Sequence, residues 1–192
     1  MNKSLIFIFV LSFVVLYGCA SSGTITFDRG VERINEIDEK FGSNVKTPPA
    51  TVKAIDQLIT QITGFAALNE DMPNSLKLLI DFRIKFLGAE KLHAEGWQWG
   101  RASTTEFGFG CRRGLERITN SSILRIAAAN KGYEAIGILQ EFVDEFPNEA
   151  KSINLTQKDV VFLNAAYLPI QEKAERDAAI VKSGCKKDKG EE

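Results

Sequence analysis

Apolar residues recur every three or four positions along most of this chain, and this spacing restricts its fold more than any other feature. The clearest sets lie in segments 31–41, 52–66 and 160–178. Side chains spaced in this way share one side of an α-helix, where they can be buried together. No segment alternates apolar and polar residues as a half-buried β-strand does. The sequence therefore predicts an all-α fold, an irregular helical bundle of about six helices.

Local signals indicate where the first helices begin and end. Asp28 is placed to cap the first helix, which is expected to stop at Gly42-Ser43. Thr47-Pro48-Pro49 combines a cap residue with proline in the first turn, and so predicts the start of a second helix. Asp71-Met72-Pro73 repeats this signal, and the third helix is expected to run to about Glu95.

The second half of the chain carries its own boundary signals. Gly132 is expected to separate two helices, over 122–131 and 133–146. Thr156 and Asp159 fit a capping box, which predicts the start of a last, long helix. The glycine-rich segment 107–110 leaves two alternatives open. It is either a loop or, with Thr105 as the cap, the beginning of a helix.

The N-terminal residues form a separate unit. Met1-Asn2-Lys3 is a short basic start, and the apolar run over 5–17 that follows is too short to cross a bilayer. The run ends in Gly18-Cys19, which resembles the lipobox of prokaryotic lipoproteins. The resemblance implies that Cys19 is lipidated with acyl chains such as palmitate, and that the chain is cut before it. We therefore expect an exported, membrane-anchored lipoprotein on the periplasmic or cell-surface face. An ordinary signal peptide and an N-terminal anchor helix are the alternatives.

On this interpretation the chain has four parts: a lipoprotein signal peptide over 1–18, a lipidated tether over 19–27, one helical domain over 28–185 and a charged, disordered tail over 186–192. Loss of the signal leaves 174 residues, with 23 lysines and arginines against 25 acidic residues and a formal charge of −2. Binding to nucleic-acid phosphates needs clustered lysine and arginine. The balance of charges therefore argues against a nucleic-acid partner.

Two cysteines remain once Cys19 is assigned to the lipid. Because an exported protein folds under oxidising conditions, Cys111 and Cys185 are predicted to form a disulfide. Such a bridge would join the end of the last helix to the middle of the domain. The alternatives are two buried free thiols or, less in keeping with the rest of the sequence, a reactive cysteine.

The sequence offers no set of residues that suits catalysis. Glu90-x-x-His93 has the spacing of a di-iron helix motif, but that centre needs a second copy of the motif. His93 is the only histidine, which also excludes zinc sites that need two histidines. We therefore predict a non-enzymatic protein, with no catalytic residues, metal or cofactor.

A group of aromatic residues among glycines is the most prominent candidate binding segment. Its members are Trp97, Trp99, Phe107 and Phe109. Together they could line a pocket or an interaction face, or they could plug the end of the bundle. Three arginines close by suit recognition of a carboxylate or a phosphate, or are surface charges: Arg101, Arg112 and Arg113.

Segment 132–147 is similar to the second helix of a tetratricopeptide repeat. It opens with Gly132-Tyr133, carries the small residue Ala135 and ends with Phe146-Pro147. The resemblance extends over about 25 residues. It implies helix hairpins of the tetratricopeptide kind and a surface for a partner or small ligand. The segment also resembles helical periplasmic lipoproteins associated with solute transport.

Two functions follow from these observations. The first is a lipid-anchored scaffold of the cell envelope that binds a protein or peptide without catalysis. The second is an accessory lipoprotein of a transport system that binds a solute, with the aromatic segment and its arginines as the pocket. Both hypotheses attach the protein to the membrane through its N-terminal lipid.

Overall fold

The computed structural model describes residues 24–106 and 111–184. Over these residues the chain forms six helices and no β-strand. The helices are α1 Phe27–Glu39, α2 Val52–Ala67, α3 Asn74–Glu106, α4 Cys111–Glu145, α5 Pro147–Ser152 and α6 Gln157–Ser183. The predicted all-α fold, with about six helices, is confirmed.

Two long helices, α3 and α4, form an antiparallel hairpin that runs the length of the molecule. Its direction is clear from two contacts, Lys85 with Glu134 and Ser121 with the carbonyl of Gly96. The α6 helix packs along α4, again antiparallel, and reaches α3 through Tyr167. The α2 helix packs on α3. The short α1 helix covers the place where α2 meets α3.

The bundle has a wide end and a narrow end, and the two differ in what they bury. The wide end joins α1, α2, the first half of α3 and the last half of α4 around large apolar side chains. These include Ile34, Leu58, Ile62, Leu76, Leu79, Phe82, Leu87, Leu139 and Phe142. Within the described residues the narrow end holds α3, α4 and α6. Apart from Ile118, its buried residues are small or polar, among them Ser121, Ser122, Arg125, Ala128, Ala174 and Asp177. Apolar burial therefore stabilises mainly the wide end.

The α3 and α4 helices are longer than the sequence predicted, because glycines lie inside them rather than at their ends. The α3 helix continues through Gly96 and Gly100 to Glu106, and α4 includes Gly132. A Cβ atom on Gly96 would lie 3.1 Å from Cγ of Arg125. On Gly100 it would lie 2.9 Å from Oγ of Ser121. The glycines let α3 and α4 approach closely, and this packing offsets their weak helix propensity.

The predicted helix starts at Asp28 and Thr47 were wrong by a few residues. Thr26 caps α1, its hydroxyl accepting a hydrogen bond from the Arg29 backbone N–H, and Thr51 caps α2 through the N–H of Ala54. The backbone of Thr47 is engaged elsewhere. Its N–H donates to the carbonyl of Asn44, and its own carbonyl accepts from the Ser43 hydroxyl. Thr51 therefore provides the cap.

The loop between α1 and α2 is held by a buried ion pair. Arg83 of α3 donates from Nη2 to Oδ1 of Asp38 at 2.7 Å, and both side chains are almost fully buried. The same guanidinium reaches the Ser43 hydroxyl and the carbonyl of Val45. Burial lowers the pKa of Arg83, and the charge of Asp38 opposes this effect. The Arg83 side chain therefore joins α3 to α1 and to the loop between α1 and α2.

The start of α6 matches its prediction. The Thr156 hydroxyl and backbone N–H both lie within hydrogen-bond distance of Oδ2 of Asp159, and these contacts form the capping box. Pro169 lies inside the helix. The predicted buried side is also correct, since Val160, Tyr167 and Ala174 are buried.

Candidate functional site

The tryptophans predicted to bind lie on the last turns of α3, each next to an arginine. The guanidinium carbon of Arg101 lies 5.3 Å from the Trp97 ring centroid, and that of Arg117 lies 4.6 Å from the Trp99 ring. Trp97 remains half exposed. Such cation–π contacts stabilise surface helices modestly. These contacts hold both indole rings against the α3–α4 hairpin.

Of the four other members of the predicted segment, the structure describes two. Arg112 and Arg113 are exposed in the first turn of α4, beside the exposed Cys111. Phe107 and Phe109 lie outside the described residues, and so does Cys185. Binding by the aromatic segment and the disulfide between Cys111 and Cys185 therefore remain predictions.

The narrow end of the bundle contains a buried polar cluster that the sequence did not indicate. Nη1 of Arg125 lies 2.8 Å from Oδ2 of Asp177, joining α4 to α6, and Lys173 reaches the same carboxylate. Ser122 donates to the carbonyl of Ala174, and Ser121 to the carbonyl of Gly96. These bonds replace apolar packing where the interior is lined by small residues. Their arrangement links three helices and buries the charges of Arg125 and Asp177.

The Glu90-x-x-His93 motif lies at the inner side of α3, next to this cluster. The Tyr167 hydroxyl of α6 donates to Oε1 of Glu90 at 2.7 Å. Burial and the charge of Glu90 raise the pKa of Tyr167. Burial lowers the pKa of His93, and Arg125 lowers it further while Glu90 opposes. Over the residues that the structure describes, no three metal-binding side chains come together. The motif connects α3 to α6.

The outer side of α6 carries an apolar surface that faces solvent. Its large members are Val161, Phe162 and Leu168, exposed by 62%, 71% and 52%. Ala165, which lies between them, and Pro169, which follows Leu168, are exposed as well. No charged residue occurs from Val160 to Gln171. We call these five residues the α6 apolar face.

A small cavity opens beside the α6 apolar face. It has a volume of about 110 Å³ and an apolar wall formed by Phe82, Phe86, Leu139, Leu155, Phe162 and Leu163. Its polar lining consists of Lys46 and Asp159, whose Nζ and Oδ1 atoms are 2.8 Å apart. Burial pushes the pKa of Asp159 up, but hydrogen bonds from Lys46 and Thr156 outweigh this effect and lower it. The ammonium group of Lys46 therefore lies at the edge of an apolar cavity.

The sequence contains a signal for the α6 apolar face that the predictions above did not include. Between positions 160 and 170 the helix is apolar on both sides, whereas burying one side needs only Val160, Leu163 and Tyr167. The cavity had no such signal, because its walls come from α3, α4, α6 and the loops before α2 and α6.

No helix among the described residues combines the length and hydropathy needed to cross a membrane. Comparison of the chain with protein-family models, with curated proteins and with solved structures found no match.

Proposed function

We propose that this protein is a lipid-anchored, non-enzymatic scaffold of the cell envelope that binds a partner protein along α6. The observation that carries the proposal is the α6 apolar face, in which Val161, Phe162 and Leu168 are more than half exposed. Contiguous exposed apolar surface is uncommon on soluble domains and marks sites of association. Large apolar side chains of this kind supply the buried centre of protein interfaces.

The shape of this surface favours an amphipathic helix as its occupant. The α6 helix packs on α4 with its inner side. Its outer side carries the α6 apolar face, which extends over about two helical turns. A partner helix placed there would extend the bundle by one helix, in the helix-in-groove mode of recognition. Leu168 and Val161 lie two turns apart on the same side of α6 and would be the anchors.

The charges at the ends of this surface favour a protein over a lipid bilayer. Lys158 and Asp159 lie before it, and Glu172 and Lys173 lie after it, so both signs are present at both ends. Helices that lie on membranes usually carry lysine and arginine along their polar side. Mixed charges instead suit the polar rim of a protein interface.

We propose that the lipid on Cys19 holds this surface near the membrane. Thr24 is five residues after Cys19, a span of at most about 18 Å. Phe27 packs on Phe142, with ring centroids 6.2 Å apart, so the chain enters the domain beside the end of α4. Cys19→Ser is expected to release the protein from membranes with its fold intact. A variant that stays membrane-bound and uncleaved would contradict the lipoprotein assignment and favour an anchor helix.

Site-specific photo-crosslinking in intact envelopes tests the partner proposal. A benzophenone side chain placed at position 162 or 168 is expected to form an adduct with one protein, identified as the same protein from both positions. Val161→Asp in the same chains should abolish the adduct, because it puts a charge on one of the two apolar anchors of the interface. Leu68, which is 86% exposed at the end of α2, is the matched control position.

Three outcomes would overturn the proposal. They are adducts with lipid only, adducts with a second copy of this chain only, and equal adducts from positions 68 and 162. Circular dichroism of Val161→Asp shows whether the variant is folded, so a lost adduct can be assigned to the surface.

We also propose the Cys111–Cys185 disulfide as a constraint on this scaffold. Cys111 begins α4, and α6 ends at Ser183, two residues before Cys185. The bridge would fasten the narrow end of the bundle, where apolar packing is least.

A further inference from the structure

The cavity beside Phe162 has the lining of a ligand site. Its wall is apolar, and its polar lining is the Lys46–Asp159 pair. Its volume of about 110 Å³ is smaller than the ~150 Å³ that holds benzene. A branched chain of about four or five carbons is therefore the largest group that fits. Phe162, which is mostly exposed, forms one wall and can move without disturbing the core.

The ion pair determines which charged group can accompany that chain. A lysine ammonium has three donors, and Lys46 uses one of them on Oδ1 of Asp159. The other oxygen of Asp159 is occupied by the hydroxyl and backbone N–H of Thr156. A ligand carboxylate can accept from Lys46 without breaking any of these bonds, whereas a ligand amine would have to displace Lys46 from Asp159.

We propose that this cavity binds a carboxylate attached to a short branched aliphatic group, with Lys46 as its cation. Two sources share this chemistry: a free branched-chain carboxylic acid, and the C-terminus of a peptide that ends in leucine. This site goes beyond the partner-binding surface of α6 and does not depend on it, because its specificity comes from Lys46.

Methyl NMR spectra of the full chain in nanodiscs of zwitterionic lipid test the proposal. The probe is 4-methylpentanoate, and its controls are 4-methylpentanamide and acetate. The acid is expected to shift the methyl signals of Leu139, Leu155 and Leu163 saturably. The amide should bind about tenfold more weakly, as expected for loss of a bond to a charged group. Acetate, which lacks the chain, should leave these signals unchanged.

Two variants separate the roles of cation and cavity. Lys46→Met should make the acid bind as weakly as the amide. The matched control is Lys85→Met, which removes another lysine from an ion pair between elements, Lys85 with Glu134, and should bind like the unaltered protein. Leu163→Phe should abolish binding by filling the cavity. Because the acid–amide comparison uses unaltered protein, it stands even where Leu163→Phe fails to fold.

A peptide ending in leucine, with a free or an amidated C-terminus, distinguishes the two sources. Tighter binding of the free peptide than of 4-methylpentanoate assigns the site to peptide C-termini, and the reverse order assigns it to small acids. The proposal is overturned if the acid causes no saturable shift, if acid and amide bind equally, or if Lys46→Met leaves their difference unchanged. Photo-crosslinking from position 168 is expected to be unaffected by Lys46→Met, so failure of this site and failure of the α6 interface can be told apart.

Discussion

Gly132 is the residue at which the Tyr167 ring of α6 packs directly against the backbone of α4. A Cβ atom built on it would lie 2.5 Å from the Tyr167 ring, and that ring is held by the hydrogen bond of its hydroxyl to Glu90. We expect Gly132→Ala to lower the free energy of unfolding by about 1–3 kcal/mol, the usual cost of overpacking. Urea denaturation measures this change.

A matched control is available on the same helix. Gly137 is exposed, and a Cβ atom built on it meets nothing within 4 Å. Gly137→Ala should therefore stabilise the protein by about 0.5–1 kcal/mol through helix propensity alone. If both alanine variants are stabilised, Tyr167 does not pack on Gly132.

We expect His93 to make the stability of the fold depend on pH. Because burial lowers its pKa below the ordinary value of 6.5, the unfolded chain binds a proton more readily than the folded one. The free energy of unfolding should therefore fall as pH drops below about 6.5, until the lowered pKa of the folded state is passed. Well above pH 6.5 the imidazole is neutral in both the folded and the unfolded chain. The contribution of His93 to the free energy of unfolding then no longer changes with pH.

Urea unfolding between pH 7.5 and 5 measures this dependence, and His93→Gln should flatten it. The interpretation is simple because the chain has no other histidine. Asp159, whose pKa is lowered, loses its contribution only below the ordinary carboxyl value of 3.8. An unchanged pH slope in His93→Gln would show that His93 is not responsible.

At the scale of helices and loops, the buried pair of Asp38 and Arg83 fixes how α1 joins the bundle. Asp38→Ala leaves a buried guanidinium without its counter-ion, and we expect a loss of about 3–5 kcal/mol in the free energy of unfolding. Replacing both residues, with Asp38→Leu and Arg83→Met, should recover much of this loss. Oδ2 of Asp38 and Nε of Arg83 have no hydrogen-bond partner among the described residues, so the pair is incompletely satisfied.

Glu36→Ala is the control for this pair. Glu36 forms an ion pair with Arg33 on the same helix, but both side chains are about half exposed. Exposed pairs contribute below about 1 kcal/mol, so this variant should unfold almost like the unaltered protein. Equal losses from Asp38→Ala and Glu36→Ala would contradict the role given to Arg83.

The same scale shows which boundaries a sequence can predict. The capping box at Thr156 was predicted correctly because both of its residues lie within one turn. Thr47 and Thr51 are equally good caps locally, but the backbone of Thr47 is engaged by Asn44, Ser43 and Arg83 of α3, and Thr51 provides the cap. From the sequence, Gly96 and Gly132 indicate helix ends. In the structure each lies inside a helix and packs against another helix, Gly96 against Arg125 and Gly132 against Tyr167. The candidate cavity was unpredictable for the same reason.

At the scale of the whole molecule, the register of α4 against α6 bears on the two cysteines. Ser122 of α4 donates to the carbonyl of Ala174 of α6, and the two helices are antiparallel. Cys111 lies eleven residues before Ser122, and Cys185 lies eleven residues after Ala174. This register brings the last turn of α6, which ends at Ser183, opposite the first turn of α4. Cys185 follows two residues later, and its disulfide with Cys111 remains a prediction.

Reduction of the protein tests this prediction. A bridge that closes a loop of about 75 residues is worth about 4 kcal/mol in the chain-entropy model. Because ~1 kcal/mol shifts the Tm of a domain of this size by roughly 2–4 °C, reduction should lower Tm by several degrees. Cys111→Ser together with Cys185→Ser should show the lower Tm and no further response to reductant. Two free thiols, titrated in the unreduced and unfolded protein, would rule the disulfide out and leave the Arg125–Asp177 cluster to hold the narrow end alone.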